Sequence, residues 1–224
     1  MTESTRDVLL DIYRRLHAAY GPQEWWPGGS PFEVVVGAIL TQAAAWTNVE
    51  KAIDNLNAAG VLSPRGILET PVEDLARLVY PAGYYNAKAR KLRAFVEMLF
   101  ERHGGVLDRL FALPLLELRR GLLATHGIGP ETADAVILYA AGRPCFVIDT
   151  YTRRVFGRLG VAPAKDDYGS WQGMFEEALP PDVPLFNEYH ALIDHHAKTF
   201  CRKEPLCEQC FLREVCPTGR REPA

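Results

Sequence analysis

The chain has 224 residues, of which 48% are hydrophobic, and its formal net charge is −3. That is enough material for a sizeable core in one domain or two small ones. No apolar run reaches membrane-spanning length and the N-terminus has no signal-peptide pattern, so we expect a cytoplasmic protein without membrane association. The negative total argues against a uniformly basic nucleic-acid-binding surface, but cations cluster at residues 88–93, 153–158 and 202–203 and leave room for a local one.

Helical periodicity runs through nearly the whole chain. Apolar residues recur at helical spacing over residues 5–19. Ser30 and Pro31 then provide an N-cap and a first helical residue for the apolar segment 32–41, which predicts a central buried helix. Further helices are expected after Thr47, Ser63, Thr70 and the turn at residues 81–85, and then over residues 113–125, 166–178 and 184–200. No strand periodicity is visible, so the sequence predicts an all-α protein.

Residues 125–154 combine a glycine hairpin with a carboxylate at a helix start. Gly127 and Gly129 permit positive φ angles and close approach by another molecule. Pro130 suits the first helical position, and the free N–H groups of such a helix start suit a phosphate. Asp149 follows a short apolar run and begins the next helix. Taken singly, these features also describe an ordinary helix–turn–helix and a helix N-cap; in this order they favour a phosphate-binding hairpin and a functional carboxylate.

Four of the five cysteines lie in the last 24 residues. In a cytosolic chain they are not expected to form disulfides. Four thiolates at this spacing can hold either a tetrahedral zinc ion or a [4Fe–4S] cluster, and the presence of a single Cys-x2-Cys pair with longer arms favours the cluster. The candidate ligands are Cys201, Cys207, Cys210 and Cys216.

These features together resemble the endonuclease III superfamily of helix–hairpin–helix DNA glycosylases. The resemblance rests on residues 83–89 (GYYNAKA) and 127–135 (GIGPETADA), on Asp149 and on the cysteine tail, and it covers nearly the whole chain. It implies a two-lobed all-α fold that acts as a monomer on damaged double-stranded DNA. The expected lobes are a six-helix lobe with the hairpin over residues 30–143, and a second lobe of residues 1–29 and 144–224 with the cluster loop at 201–216.

The resemblance also implies roles for individual residues. Asp149 would promote base excision, Tyr84 would wedge into the base stack, and Gln42 would fill the space left by the extruded nucleotide. A packing role for Tyr84 and a solvated Gln42 are the alternatives. The four cysteines would hold a structural [4Fe–4S] cluster, although the first spacing is five residues where the family usually has six. Further residues expected to contact DNA are Lys88, Gly127, Gly129, Arg153, Arg202 and Lys203.

The position two residues after the second hairpin glycine bears on the reaction type. Family members that also cut the DNA strand use a lysine there as a Schiff-base nucleophile, and this chain has Glu131. We therefore expect a monofunctional glycosylase, in which Asp149 stabilises the positive charge that develops on the sugar and orients or deprotonates a water.

A closer local resemblance points to the 3-methyladenine DNA glycosylase III type. It rests on residues 32–42 (FEVVVGAILTQ) together with the two segments above, and on aromatic residues at the places that line the base pocket in that type. Electron-rich rings suit a cationic alkylated purine, which we predict as the substrate, whereas the cysteine tail departs from that type. Loop tryptophans also serve as packing residues. The expected pocket residues are Trp25, Trp26, Trp46, Glu131 and Tyr151.

Three other functions remain open from the sequence. The first is an endonuclease III-type glycosylase with lyase activity on oxidised pyrimidines, which needs an amine near Asp149. The second is a DNA-damage-binding protein without catalytic activity. The third is a helical interaction protein whose tail is held by zinc.

Overall fold

The computed structural model describes residues 4–26 and 28–221, and all regular structure in these ranges is helical. The predicted all-α class is confirmed. In chain order the helices are α1 (Thr5–Tyr20), α2 (Pro31–Leu40), α3 (Trp46–Ala58), α4 (Pro64–Glu69), α5 (Val72–Leu78), α6 (Tyr85–His103), α7 (Leu107–Phe111), α8 (Leu115–Leu123), α9 (Pro130–Ala135), α10 (Thr150–Arg158), α11 (Tyr168–Ala178), α12 (Val183–Thr199) and α13 (Pro217–Arg221). Helix α9 continues as a π-helical turn over Val136–Ala140, and 3-10 turns cover Tyr80–Ala82, Cys207–Gln209 and Arg213–Val215. None of the described helices is long and apolar enough to cross a membrane.

The chain divides into two compact units. The middle unit is Trp26–Arg143, and the terminal unit is formed by the chain up to Trp25 and from Pro144 onwards. The described part of the middle unit has eight α-helices, α2 to α9, rather than six, because α4 and α7 are separate short helices.

Helix α2 is the centre of the middle unit. The Ser30 hydroxyl accepts a hydrogen bond from the Glu33 N–H at 3.2 Å, and Pro31 begins the helix, as the sequence predicted. Every residue from Val34 to Leu40 is buried, and the helix packs against α3, α6, α9 and the π-helical turn. A Cβ atom at Gly37 would lie 3.0 Å from the Trp26 ring, so the missing side chain lets that indole cover the helix.

The terminal unit has an aromatic core. The rings of Phe146 and Phe175 stack with centroids 4.2 Å apart, and Phe156 meets Phe175 edge-on at 4.9 Å. Tyr189 of α12 is buried, and its hydroxyl donates to the Leu9 carbonyl of α1 at 2.7 Å. Helix α12 thereby packs against α1 on one side and α10 on another.

Two predicted helix starts are wrong by one or two residues. Thr47 lies inside α3, which begins at Trp46 after Ala45. Thr70 does not cap α5, which begins at Val72 after Pro71. The Thr70 hydroxyl donates to the Gly66 carbonyl at 2.7 Å, so the side chain that looked like an N-cap is used at the end of α4 instead.

Candidate functional site

The hairpin between α8 and α9 is closed by the Ile128 N–H, which donates to the Thr125 carbonyl at 3.1 Å. Gly127 has φ +79°, and a Cβ there would lie 2.3 Å from Cγ of Lys91, so both conformation and space require glycine. Gly129 differs, because its φ is −90° and it is the residue before α9. Apart from the neighbouring residues of the chain, no described atom lies within 4 Å of a Cβ at Gly129, so another molecule can approach this backbone. Only Gly127 of the two therefore uses a positive φ.

The Gln42 side chain ties the end of α2 to the hairpin. Its amide nitrogen donates to the Gly127 carbonyl at 3.1 Å and to the Thr132 hydroxyl at 2.9 Å. Its amide oxygen accepts a hydrogen bond from the Lys91 ammonium. Gln42 is thus held by protein groups, and its contact with an extruded nucleotide stays a prediction.

A buried ion pair joins the two helices of the hairpin. Arg119 of α8 donates Nε–H and Nη2–H to the two carboxylate oxygens of Asp134 in α9, at 2.7 and 3.0 Å. The Asp134 side chain has no solvent exposure. Two parallel bonds from a guanidinium fix both distance and orientation, so this pair sets how α9 follows α8.

Tyr84 stands out from the turn before α6. It has φ 44° and ψ 31°, a left-handed conformation that is uncommon outside glycine, and 75% of the residue is exposed. Gly83, immediately before it, also has a positive φ, of 69°. The structure therefore presents the predicted wedge ring to solvent, and a packing role for Tyr84 does not fit this exposure.

The structure buries Lys88, which the sequence predicted as a DNA contact, so its side chain is not open to DNA in this conformation. Lys88 is only 1% exposed, and its ammonium donates to the Ala82 carbonyl at 2.6 Å. Burial, assisted by the charge of Lys91, lowers the pKa of Lys88 to about 8. The sequence could not reveal this, because Lys88 belongs to the same run of cations as the exposed Arg90 and the half-buried Lys91 and Arg93.

Aromatic rings meet at one end of the middle unit. The Trp26 ring lies edge-on to Trp46 with centroids 5.1 Å apart, and Tyr139 lies 5.2 Å from Trp26 on the other side. Two predicted pocket residues are thus neighbours, and Tyr139 on the π-helical turn was not predicted. Trp25 is half-buried and belongs to the terminal unit, while Glu131 is exposed in the first turn of α9.

Asp149 caps α10 and has one carboxylate oxygen set apart from the cap. Its Oδ1 accepts hydrogen bonds from the Thr152 N–H at 2.7 Å and the Thr152 hydroxyl at 2.8 Å. Its Oδ2 lies 3.7 Å from Nε2 of His190 on α12, an ion-pair distance rather than a hydrogen bond. Burial alone would raise the pKa of Asp149, but the His190 ring and the Thr152 bonds outweigh it and lower that pKa.

The other predicted contact residues of the terminal unit have partners within it. The Tyr151 ring faces two cations, with the Arg154 guanidinium 5.0 Å and the Lys198 ammonium 5.5 Å from its centroid. Arg153 donates to the exposed Asp166 carboxylate at 2.8 Å. Such a surface pair is weak, so Arg153 remains available to another anion.

All four tail cysteines line one cavity, whose wall is mainly apolar and includes Leu212 and Phe200. Arg158 of α10 donates to the Cys201 sulfur at 3.4 Å and to the carbonyls of Arg202 and Lys203 at 2.6 and 2.9 Å. The side chains of Arg202 and Lys203 are exposed on this loop. Arg158 thereby joins α10 to the backbone of the cysteine loop and to one of its cysteines.

Residues 36–181 match the model of the HhH-GPD superfamily of base excision DNA repair proteins. The chain belongs to this superfamily. Membership confirms the resemblance seen in the sequence and makes the chain a member of the DNA glycosylase enzymes of base excision repair.

Several relatives align over most of this HhH-GPD chain. A protein of Methanocaldococcus jannaschii with the provisional name of DNA repair glycosylase is 43% identical over 96% of this chain and 99% of its own. The endonuclease III of Sulfolobus acidocaldarius is 30% identical over 83% of this chain and 81% of its own. The endonuclease III of Escherichia coli is also 30% identical, over 84% of this chain and 83% of its own.

Solved structures share the HhH-GPD fold. A trapped covalent intermediate of endonuclease III with DNA matches 98% of this chain and 99% of its own, with a TM-score of 0.83 at 21% identity, which is a likeness of fold. The 3-methyladenine DNA glycosylase of H. pylori bound to 1,N6-ethenoadenine matches 88% of this chain and 98% of its own, with a TM-score of 0.76 at 25% identity.

Sequence reasoning missed three features of this HhH-GPD protein, which involve four side chains. His190 lies in the helix predicted over residues 184–200, and only the packing of α12 brings it to Asp149. The Arg119–Asp134 pair had a visible signal, since Asp134 interrupts an apolar helix face and a buried carboxylate needs a partner. Tyr139 had none, because its meeting with Trp26 depends on tertiary packing.

Proposed function

We propose that the protein is a monofunctional DNA glycosylase that hydrolyses the N-glycosidic bond of a flipped alkylated purine, such as 3-methyladenine, in damaged double-stranded DNA. The observation that carries this proposal is that the two oxygens of the Asp149 carboxylate have different surroundings. Oδ1 is occupied by the two Thr152 hydrogen bonds, and Oδ2 is outside that cap and lies towards His190. Only 13% of this side chain is exposed, so a base in a duplex has to be extruded to bring its sugar to it.

The lowered pKa of Asp149 keeps the carboxylate ionised at neutral pH. Its negative charge opposes the positive charge that develops on the sugar as the C1′–N bond lengthens. The departing base takes the electron pair of that bond. A water that Asp149 orients forms the new C1′–O bond and gives its proton to the Asp149 carboxylate, which releases it to solvent. An N-alkylated cationic purine becomes neutral on leaving, so it needs no proton from a general acid.

The base pocket is proposed to include the Trp26, Trp46 and Tyr139 rings and Glu131, all of which belong to the middle unit. A cation over an indole face is attracted by the ring quadrupole, which favours charged alkylated bases over neutral normal ones. The 25% identity to the H. pylori 3-methyladenine DNA glycosylase supports this substrate class.

DNA is proposed to contact the hairpin, the turn before α6 and the tail loop. The start of α9 after Pro130 presents backbone N–H groups of the kind that bind phosphate, and the open backbone at Gly129 gives a phosphate access to them. Tyr84 inserts into the stack, beside Gln42 as the space-filling residue. Arg153, Arg202 and Lys203 supply charge for further phosphates. Solved relatives in complex with DNA support this use of the fold.

We propose that Cys201, Cys207, Cys210 and Cys216 hold a [4Fe–4S] cluster. One cavity has all four cysteines in its wall. A single Cys-x2-Cys pair with longer arms favours the cluster over a tetrahedral zinc ion. Bound there, a cluster would cross-link the tail loop, and base excision needs no electron from it.

A second candidate is a glycosylase with lyase activity on oxidised pyrimidines, which the 30% identity to two endonucleases III favours. Against it stands Glu131, because a carboxylate cannot form the imine of a Schiff-base mechanism.

The test is base release from methylated duplex DNA by freshly purified protein, with strand cleavage and borohydride trapping scored on the same DNA. We expect free 3-methyladenine, intact strands before heating, no covalent adduct, and visible absorption from a brown protein. Release of oxidised pyrimidines with a trapped adduct would establish the second candidate instead. A colourless protein with stoichiometric zinc would refute the cluster.

Asp149→Asn separates catalysis from DNA binding. Asp167 is the matched control, because it caps α11 in the same way, accepting from the Ser170 N–H at 2.8 Å and the Ser170 hydroxyl at 2.9 Å. Asparagine caps helices about as well as aspartate. Asp149→Asn and Asp167→Asn should therefore both fold, and only Asp149→Asn should lose base release. An Asp149→Asn protein that releases bases at the normal rate would exclude the assigned role.

A further inference from the structure

Lys88 is the most deeply buried cation described in the middle unit, with 1% of the residue exposed. Lysine is almost never buried without a partner. Here the ammonium donates to a backbone carbonyl, that of Ala82, at 2.6 Å. Placing a charge in this position is costly, and the lowered pKa of Lys88 reflects that cost. The proposed function so far gives this residue no task.

Lys88 is bonded to the chain on both sides of Gly83. Its side chain reaches the Ala82 carbonyl before this glycine, and its backbone N–H donates to the Tyr84 carbonyl after it, at 3.0 Å. The Gly83 N–H donates to the Tyr80 carbonyl at 3.1 Å and closes the 3-10 turn. One residue of α6 is therefore bonded to the Ala82–Gly83 peptide before the turn and to the Tyr84–Tyr85 peptide after it.

Tyr84 needs such support. A left-handed conformation is strained for a residue with a side chain, and the exposed ring has little packing to offset that strain. Strained residues of this kind persist where the surrounding structure holds them. The buried hydrogen bond from Lys88 is placed to do so.

We infer that Lys88 is a positioning residue, whose ammonium holds the Ala82–Tyr84 turn in the conformation that presents the Tyr84 ring to the base stack. The inference rests on the proposed function, because the presentation of Tyr84 matters only if a nucleotide is extruded. The amine keeps protons to donate in both of its protonation states, so the contact to Ala82 does not depend on full charge.

A catalytic role for Lys88 is the alternative. A lysine with a lowered pKa is suited to Schiff-base chemistry, but an amine with 1% exposure, bonded to Ala82, cannot reach a sugar without leaving the turn. Borohydride trapping with wild-type protein and Lys88→Met separates the two roles.

The wedge itself can be observed without any excision. The probe is a duplex with a tetrahydrofuran abasic analogue opposite 2-aminopurine, whose fluorescence rises when the base is unstacked. At saturating protein, wild type should give a full rise, Tyr84→Ala a small one, and Lys88→Met a small one as well. Arg102→Met is the matched control, since Arg102 is an exposed cation on the same helix, and it should behave as wild type.

Lys88→Met keeps the aliphatic stem and removes a buried charge, so it should fold; if it does not, Lys88→Gln carries the same test. Base release from methylated duplex DNA should fall about tenfold or more, as for loss of a hydrogen bond from a charged donor. A full fluorescence rise with Lys88→Met, or none with wild type, overturns the inference. Fluorescence that behaves as expected while wild type releases no base overturns the proposed function alone.

Discussion

Arg119 grips Asp134 with two hydrogen bonds of 2.7 and 3.0 Å, and the aspartate is fully buried while the arginine is partly exposed. The pair connects α8 to α9, the helices before and after the hairpin, so it fixes how these two helices are joined. Its geometry is that of a structural ion pair between two helices rather than of a ligand-binding group.

Removing one member of this pair should be far more harmful than removing a surface pair. We expect Arg119→Met to lower the free energy of unfolding by about 3–5 kcal/mol, because it leaves the Asp134 carboxylate buried without its guanidinium. Arg77→Met, which breaks the exposed pair with Asp74, should cost less than about 1 kcal/mol. Urea titrations of both variants measure these free energies of unfolding. Equal losses would contradict a structural role for the Arg119–Asp134 pair.

The two hairpin glycines should respond differently to alanine. Gly127→Ala forces a Cβ into a positive φ and against Lys91, and should cost about 1–3 kcal/mol of stability. Gly129→Ala has neither problem and should leave stability within about 0.5 kcal/mol. Its added methyl should still weaken DNA binding, since it stands where we propose a phosphate. Thermal unfolding and a DNA titration separate the effects; a stable Gly127→Ala would argue against the strain.

Replacing His190 should shift the pH dependence of base release. The pKa of Asp149 is lowered because His190 and Thr152 outweigh burial, so its carboxylate stays ionised down to low pH. In His190→Asn the burial effect is less opposed and that pKa should rise. The acid limb of the single-turnover rate should move to higher pH, with the plateau kept near neutral pH. Rates from about pH 4 to 8 test this, and an unmoved limb would show that His190 does not act on Asp149.

Lys88 should also leave a mark on stability at alkaline pH. The pKa of Lys88 is about 8 in the folded chain, below the 10.5 of a free lysine side chain. Between these values the unfolded chain holds a proton that the folded chain has lost, so the stability of wild type rises with pH in this window. Lys88→Met lacks this proton. The free energy of unfolding of wild type relative to the variant should therefore increase from about pH 8 to 10.5, and a flat difference would contradict it.

Much of the fold was predictable because its signals are local. Ser30 before Pro31, the apolar body of α2 and the spacing of the hairpin glycines each depend on a few neighbouring residues. Thr70 shows where such signals fail, since one hydroxyl can serve the helix before it or the helix after it. The burial of Lys88 and the approach of His190 to Asp149 depend on how distant helices pack, and single-residue chemistry gives no warning of either.

The backbone conformation of Tyr84 implies a conflict between the stability of the fold and the proposed activity. Glycine would adopt φ 44° and ψ 31° without strain, so Tyr84→Gly should relieve local strain in the folded state. The same change would remove the exposed ring. Selection for stability alone would thus favour glycine at this position. The tyrosine fits a protein in which the proposed activity is gained at the expense of stability.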